Sequence, residues 1–231
     1  MPGHSTPRDV LLEFQTSLQH LDAYYNELIL AVHGKRRQAI LESILAEQFC
    51  LALGVRWEGF IHDLFVAYLR QNAATFLRSK VRAIRQSIED KFGSACSQAV
   101  KVNLSFPLST DATESLLDPK RRNVEVSSAD DLSNKAKLWS GPAAKKFALE
   151  QDDRDLVDLV IALRNYLAHK SRSARRELSV KVGRIGRIGP NSGLACHPLG
   201  PVPVYLKRTA GGRTRTNLLY TRILQVASKL A

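Results

Sequence analysis

The chain has 231 residues, 44% of them hydrophobic, which is enough for a substantial core and argues against global disorder. Its three cysteines form no CxxC pair, so a disulfide framework is not expected and a reducing, cytoplasmic compartment is favoured. No apolar run of about 18 residues or more is present, and acidic residues stand where a signal peptide would be apolar. We therefore expect no membrane span and no leader.

The formal net charge is +12, and the whole excess lies after His169. Residues 1–169 hold 21 Lys+Arg and 21 Asp+Glu, whereas residues 170–231 hold 13 basic residues and a single acid, Glu177. A basic segment joined to a neutral body favours a polyanion partner, with RNA or DNA ahead of a membrane surface. A solvated basic tail is the alternative, although apolar residues such as Val180, Ile185 and Leu206 indicate that part of the segment packs.

The first two predicted helices are long. Thr6 is a plausible N-cap with Pro7 at the first helical position, and Gly34 ends the helix that follows. A second helix runs from near Arg36 to about Arg70 and is apolar on nearly every side around Phe49–Val66, as expected of a buried central helix. Gly54 and Gly59 within it each cost about 1 kcal/mol relative to alanine, which the close approach of a neighbouring helix would justify.

The remaining elements are shorter. A third helix ends at Gly93, and residues 101–127 form a long loop of the kind that often carries function. Ser128 and Asp131 resemble a capping box for a short helix that ends near Trp139. Acidic residues then begin a helix over residues 152–169, whose inward stripe is Leu156, Val160, Leu163 and Leu167. Short strands or loops are predicted for residues 173–213 and a final helix for about residues 214–230.

These elements predict an all-α fold, a helical bundle with a basic, partly irregular C-terminal segment that ends in a helix. We divide it into a helical domain over residues 1–172 and a basic extension over residues 173–231 that packs on the same domain. No set of Cys and His at zinc spacing is present, since Cys196-His197 lacks further ligands. We therefore predict no metal site and no cofactor.

The helix over residues 152–169 carries the chemistry. At about 100° per residue, Asn165 and His169 lie on roughly the face opposite to the inward stripe, together with Ile161, Ala162 and Tyr166. That second face is too apolar for plain exposure and is interpreted as a contact surface. Arg164 lies about 140° from His169, so the two side chains cannot meet within one regular helix. They would converge if the helix distorts near Ala168 or if two copies of the chain pack through this face.

The stretch Arg164-Asn165-Tyr166-Leu167-Ala168-His169 resembles the motif of the HEPN superfamily of small helical bundles. In that family an arginine, often followed by asparagine, precedes a histidine by four to six residues. The resemblance covers residues 6–172 and includes the buried helix with Trp57-Glu58-Gly59-Phe60-Ile61. It is closest to toxin-like and phage-defence members. Some of these carry a tyrosine two residues after the histidine that an antitoxin modifies, whereas this chain has Ser171 there.

The resemblance implies a metal-independent endoribonuclease that acts as a homodimer, with two motifs facing each other in one cleft and a neutralising or regulatory partner protein. His169 would be the general acid or base, Arg164 would stabilise the phosphorane and Asn165 would position. The product would carry a 2′,3′-cyclic phosphate, so DNA should resist cleavage. The RNA backbone would be bound by a basic set that comprises Lys170, Arg172, Arg175, Arg176, Arg184 and Arg187.

Several alternatives stay open. Arg56 and His62 also fit the motif spacing, but they lie in the most apolar helix, where packing or a pair with Glu58 or Asp63 is favoured. Glu58 either pairs with Arg56 or His62 or lines the cleft. At the level of function, the alternatives are a non-catalytic HEPN-like module that binds nucleic acid or a partner, and a scaffold whose basic segment only solubilises.

Overall fold

The computed structural model describes residues 6–101, 110–117 and 124–231, and over these ranges the fold is all-α. Five helices form the first half: α1 (Pro7–Val32), α2 (Gln38–Gln71), α3 (Ala74–Phe92), α4 (Ser94–Ala99) and α5 (Thr110–Leu117). The second half comprises α6 (Ala129–Trp139), α7 (Gln151–His169), α8 (Arg172–Arg184), α9 (Val202–Lys207) and α10 (Arg215–Leu230). Two-residue strands β1 (Thr209–Ala210) and β2 (Arg213–Thr214) pair antiparallel just before α10.

Helix α1 begins and ends as its sequence predicts. Thr6 Oγ1 accepts the Asp9 N–H at 3.2 Å, and the Asp9 carboxylate accepts the Thr6 N–H at 3.0 Å. This reciprocal cap stabilises a helix start by about 1 kcal/mol. At the other end Gly34 has φ +73°, a conformation that costs glycine little. The stripe of Phe14, Leu18, Leu21 and Tyr25 is buried.

Helix α2 fills the centre of the bundle, as predicted. It packs against α1, α7, α9 and α10, and Trp57, Ile61 and Phe65 on it are among the largest fully buried side chains. Among the described helices, α2 is the one whose length and composition would also suit a membrane span. The part of α2 around Trp57 is apolar because it lies in the core, whereas Ile40 and Ile44 in its N-terminal part are exposed.

The predicted loop over residues 101–127 is interrupted by α5. Its parts at residues 102–109 and 118–123 lie outside the described residues. Gly93, with φ +84°, ends α3 as predicted, and α4 follows at once. At the far side of the loop Ser128 Oγ accepts the Asp131 N–H at 3.1 Å and caps α6, while the Asp131 carboxylate accepts the N–H of Ser127 at 2.9 Å.

The C-terminal segment corrects one prediction. Short strands or loops were expected for residues 173–213, but α8 occupies Arg172–Arg184 and α9 occupies Val202–Lys207. Helix α8 packs on α7 through the fully buried Leu178 and Val182. Leu178 and Val182 are four residues apart, which is helical spacing, and the many charges around them hid that short stripe. Helix α10 then packs against α1, α2, α7 and α9. The division into two domains near residue 172 stays a prediction.

Candidate functional site

The motif histidine lies where two helices join. Helix α7 stays helical through His169, and the following Lys170 adopts a left-handed conformation with φ 50°. Its N–H donates to the Tyr166 carbonyl at 2.7 Å. Ser171 then caps α8 by accepting the Ala174 N–H at 3.2 Å. The helix therefore does not distort near Ala168, and the exposed His169 stands at the joint between α7 and α8.

The motif arginine is held one and a half turns earlier, on another side of α7. Arg164 Nη2 donates to Glu58 Oε2 at 2.9 Å, and Nη1 donates to the Asn165 side-chain oxygen at 3.1 Å. The Arg164 and Glu58 side chains are 29% and 28% exposed, so the pair is shielded without being sealed from solvent. The third guanidinium nitrogen, Nε, is buried and has no hydrogen-bond partner.

Gly54 makes the position of Arg164 possible. A Cβ on Gly54 would lie 2.6 Å from Arg164 Cβ and 2.9 Å from its Cγ, far inside the usual carbon contact of about 3.5–4.0 Å. The predicted close helix approach is thus confirmed for Gly54. It is wrong for Gly59, where a Cβ would meet nothing within 4 Å.

Glu58 pairs with Arg164 and not with Arg56 or His62, the two partners that the sequence suggested. The alternative that Glu58 lines the cleft stays a prediction. Burial raises the pKa of the Glu58 carboxyl, and the adjacent Arg164 guanidinium offsets part of that rise. Gly54 and Glu58 are four residues apart and share one face of α2. A glycine with an acidic residue four positions later on the same helix face was the sequence pattern that could have predicted this pair. The glycine leaves space for a long basic side chain, and the carboxylate provides its partner.

Arg56 and His62, the alternative motif pair, have separate structural partners. Arg56 Nε donates to Ser17 Oγ at 2.8 Å and so joins α2 to α1. His62 Nδ1 accepts the backbone N–H of Val124 at 3.1 Å. These contacts favour a packing role for the pair.

The second face of α7 is used mostly inside the chain. Ile161 and Ala162 are 5% and 1% exposed, because α7 lies among α2, α6, α8 and α10. The interpretation of this face as an open contact surface is therefore wrong for those two residues. Only its C-terminal part, with Asn165 and Tyr166 half-buried and His169 exposed, reaches solvent.

The basic residues after position 169 form two groups, those with a carboxylate partner and those without one. All four lysines of the segment and Arg222 form ion pairs with carboxylates of residues 1–169: Lys170–Glu47, Lys181–Asp158, Lys207–Glu42, Arg222–Asp153 and Lys229–Asp153. Within the described part of the chain, the other arginines have no carboxylate partner. They are Arg172, Arg175, Arg176, Arg184, Arg187, Arg208, Arg213 and Arg215.

Five of the six predicted RNA-binding residues belong to this unpaired set. Arg172, Arg175 and Arg176 are exposed on the first turns of α8, directly after His169. Arg175 also donates to the Gly200 carbonyl at 3.2 Å. Arg184 and Arg187 are exposed at and beyond the other end of the helix. Lys170, the sixth, is engaged by Glu47 at 2.7 Å, and its Nζ lies 5.2 Å from the centre of the Tyr166 ring.

An apolar stripe on α2 borders the motif. Ile40, Ile44 and Val55 are 59%, 50% and 51% exposed, and at about 100° per residue they fall within roughly 60° of arc. Glu47 and Glu58 lie on the same face and pair with Lys170, which follows α7, and with Arg164 of α7. The stripe therefore adjoins the Arg164–Glu58 pair. Of its three residues, Val55 lies within the stretch Phe49–Val66 that was predicted to be apolar and buried on nearly every side, and the prediction is wrong for Val55.

No protein-family model, curated protein or solved structure matches the chain. Across the described ranges, no group of three or more His, Cys, Asp or Glu side chains is placed to hold a metal ion.

Proposed function

We propose that the protein is a HEPN-like, metal-independent endoribonuclease. The observation that carries this proposal is the joint between α7 and α8. There the exposed His169 adjoins arginines without carboxylate partners, and Arg164 is fixed by Glu58 one and a half turns away. Such arginines attract a phosphate backbone, and the histidine stands where that backbone would pass.

The chemistry uses the 2′-hydroxyl of the RNA as nucleophile. His169 removes or supplies a proton near neutral pH. Arg164 offers fixed donors to the crowded phosphorane and cannot lose its charge. Asn165 holds the Arg164 guanidinium through its side-chain oxygen. The products are a 2′,3′-cyclic phosphate and a 5′-hydroxyl, so a DNA strand of the same sequence is not cut.

Two copies of the chain complete the site in this proposal. Because α7 is regular through His169, the two catalytic side chains of one chain stay on separate sides of the helix. A symmetric pair that buries the α2 stripe would bring the Arg164 of one chain toward the His169 of the other. The stripe of Ile40, Ile44 and Val55 supplies the apolar area that such a contact needs. A nuclease of this kind needs control in a cell, so a regulatory or antitoxin partner is part of the proposal.

The nuclease is tested with labelled RNA in excess EDTA. We expect wild-type protein and His20→Ala to cut, since His20 is exposed on α1, and His169→Ala and Arg164→Gln to be inactive. Loss of one general acid or base costs about 10²–10⁴-fold. Circular dichroism of each variant tests whether a loss of activity comes from unfolding. Cutting by His169→Ala at the wild-type rate, or products without cyclic phosphate ends, would refute the mechanism.

The composite site is tested by mixing. Neither His169→Ala nor Arg164→Gln should cut alone, but a mixed dimer has one intact Arg164–His169 combination. Random pairing in a two-fold dimer therefore restores about a quarter of the wild-type activity. Val55→Glu should yield a monomer by sedimentation and abolish cutting, while Leu30→Glu, at an exposed position of α1, should do neither. No recovery on mixing would exclude sharing of the motif between chains.

A non-catalytic module that binds nucleic acid is the second candidate. The observation in its favour is that the charge of Arg164 is already balanced by Glu58 within the chain, so the guanidinium has less to offer a phosphorane. This candidate predicts RNA binding that weakens steeply with salt, no cutting by any variant, and no toxicity on expression.

A further inference from the structure

An arginine-lined cleft lies in the C-terminal segment. It is a cleft of about 630 Å³ between the end of α8, the segment over residues 192–197, β1 and the start of α10. Three of its lining residues are arginines, Arg187, Arg208 and Arg215, and none of its described lining residues is a carboxylate. Neither Arg164 nor His169 contributes to it. The described lining is therefore positively charged; it shares Arg187 with the predicted RNA-binding set but contains neither of the proposed catalytic residues.

Arg215 is the unusual member. Its side chain is 6% exposed, and its guanidinium lies 4.5 Å from the centre of the Tyr205 ring. It donates only to backbone carbonyls, those of Gly193 and Ala195 at 2.9 Å each and of Tyr205 at 3.3 Å. Carbonyls satisfy the N–H groups but do not cancel the charge. A buried charge without a counter-ion is unfavourable, so an anion in the cleft would relieve it.

The mouth of the cleft is also lined by arginines without a carboxylate partner. Arg187 and Arg208 are exposed, and no carboxylate in the described part of the chain pairs with either of them. Ser192 and Thr209 add hydroxyl donors to the lining. Arg215 is also the first residue of the 16-residue helix α10, so the positive end of that helix faces the same space. These groups are the donors that recognise a phosphate.

We propose that this cleft binds the phosphate of a nucleotide-sized, phosphorylated ligand. Its volume falls within the range of about 300–1,000 Å³ typical of small-molecule sites and exceeds the need of a lone phosphate ion. The phosphate lies against Arg187 and Arg208, with the charge of Arg215 behind it. A free nucleotide and the 5′-phosphate end of an RNA both carry this group. The site goes beyond the proposed cleavage, since it involves none of the catalytic residues.

Calorimetry at low salt tests the cleft with AMP, ATP, inorganic phosphate and adenosine. All titrations use His169→Ala protein, so that failure of the nuclease proposal leaves them unaffected. We expect AMP and ATP to bind and adenosine not to bind. Arg187→Gln/Arg208→Gln should weaken nucleotide binding about tenfold or more per arginine. The control is Arg82→Gln/Arg85→Gln, which removes two exposed charges from α3 and should leave nucleotide binding unchanged.

Paired RNA oligonucleotides with a 5′-phosphate or a 5′-hydroxyl identify the source of the phosphate. If Arg187→Gln/Arg208→Gln loses nucleotide binding, the proposal is supported and the ligand is a free nucleotide. If the same variant loses a preference for the 5′-phosphorylated RNA, the proposal is supported and the ligand is an RNA end. Adenosine that binds as well as AMP, equal losses in the control, or no binding of either phosphorylated probe would overturn the proposal.

Discussion

Gly54 and Gly59 allow the helix contact behind the motif to be tested by two chemically identical substitutions. Both glycines lie in the interior of α2, five residues apart. Each gains about 1 kcal/mol of helix propensity on replacement by alanine. Only at position 54 does the new Cβ meet Arg164, at 2.6 Å. The difference between the two variants therefore isolates the cost of pushing α7 away from α2.

The magnitude follows from the geometry. To restore a normal carbon contact the two helices must separate by about 1 Å, and inserting a methyl group into a tight contact costs about 1–3 kcal/mol. We expect Gly59→Ala to stabilise the fold by up to about 1 kcal/mol and Gly54→Ala to be about 1–3 kcal/mol less stable than Gly59→Ala. At about 2–4 °C per kcal/mol for a chain of this size, a 2 kcal/mol gap separates their melting temperatures by about 4–8 °C.

Urea unfolding and thermal melts followed by circular dichroism measure this gap, and the RNA assay adds a functional readout. A displacement of about 1 Å at a catalytic side chain can cost 10²-fold in rate, so under the proposed nuclease function Gly54→Ala should also lose cutting while Gly59→Ala keeps it. If the two variants are equally stabilised, Arg164 does not cross α2 at Gly54, and the described Arg164–Glu58 geometry is wrong.

Three further predictions concern charge. Asp153 is 2% exposed and forms ion pairs with Arg222 and Lys229. Asp153→Asn should therefore lower the free energy of unfolding in urea by about 3–5 kcal/mol. The control Asp155→Asn loses only an exposed hydrogen bond and should lower it by less than about 1 kcal/mol. Burial raises the pKa of Glu58 above its ordinary value, so the contribution of this carboxyl to stability is present at pH below its unfolded-state pKa and is lost as pH rises through its folded-state pKa. Between these two pKa values, the urea midpoint of wild type should fall with rising pH relative to that of Glu58→Gln. Parallel curves for the two proteins would contradict this prediction. In RNA-binding titrations, Arg172→Gln should reduce the slope of log affinity against log salt by about 1, whereas Lys207→Gln, whose charge is paired with Glu42, should leave it unchanged.

The long, strongly patterned elements could be predicted from the sequence. The cap at Thr6, the end of α3 at Gly93 and the inward stripe of α7 depend on local rules that neighbouring helices do not alter. Helix α8 was missed because only Leu178 and Val182 face inward among many charges, and so short a stripe resembles a loop pattern. Its helical state depends on packing against α7, which a local pattern does not contain.

The tertiary partners of the predicted site residues could not be read from the sequence. The spacing of Arg164, Asn165 and His169 can be read from one helix. The salt bridge to Glu58 spans 106 positions and depends on how α2 crosses α7. The net charge of the basic segment could also be read from the sequence. Which of its basic residues form ion pairs, namely the lysines and Arg222, depends on the tertiary contacts.

Helix α10 joins the C-terminus to the first half of the chain through contacts that are distant in the sequence. Tyr68 of α2 donates its hydroxyl to the Leu230 carbonyl, 162 positions away, and α10 also contacts α1 and α7. Contacts so distant in sequence close late, because a long loop must first lose its entropy. The arginines without carboxylate partners all precede α10 or lie at its first residue. We therefore expect a chain shortened before α10 to keep most of these arginines, whereas the proposed phosphate cleft, which includes Arg215, forms only when α10 is in place.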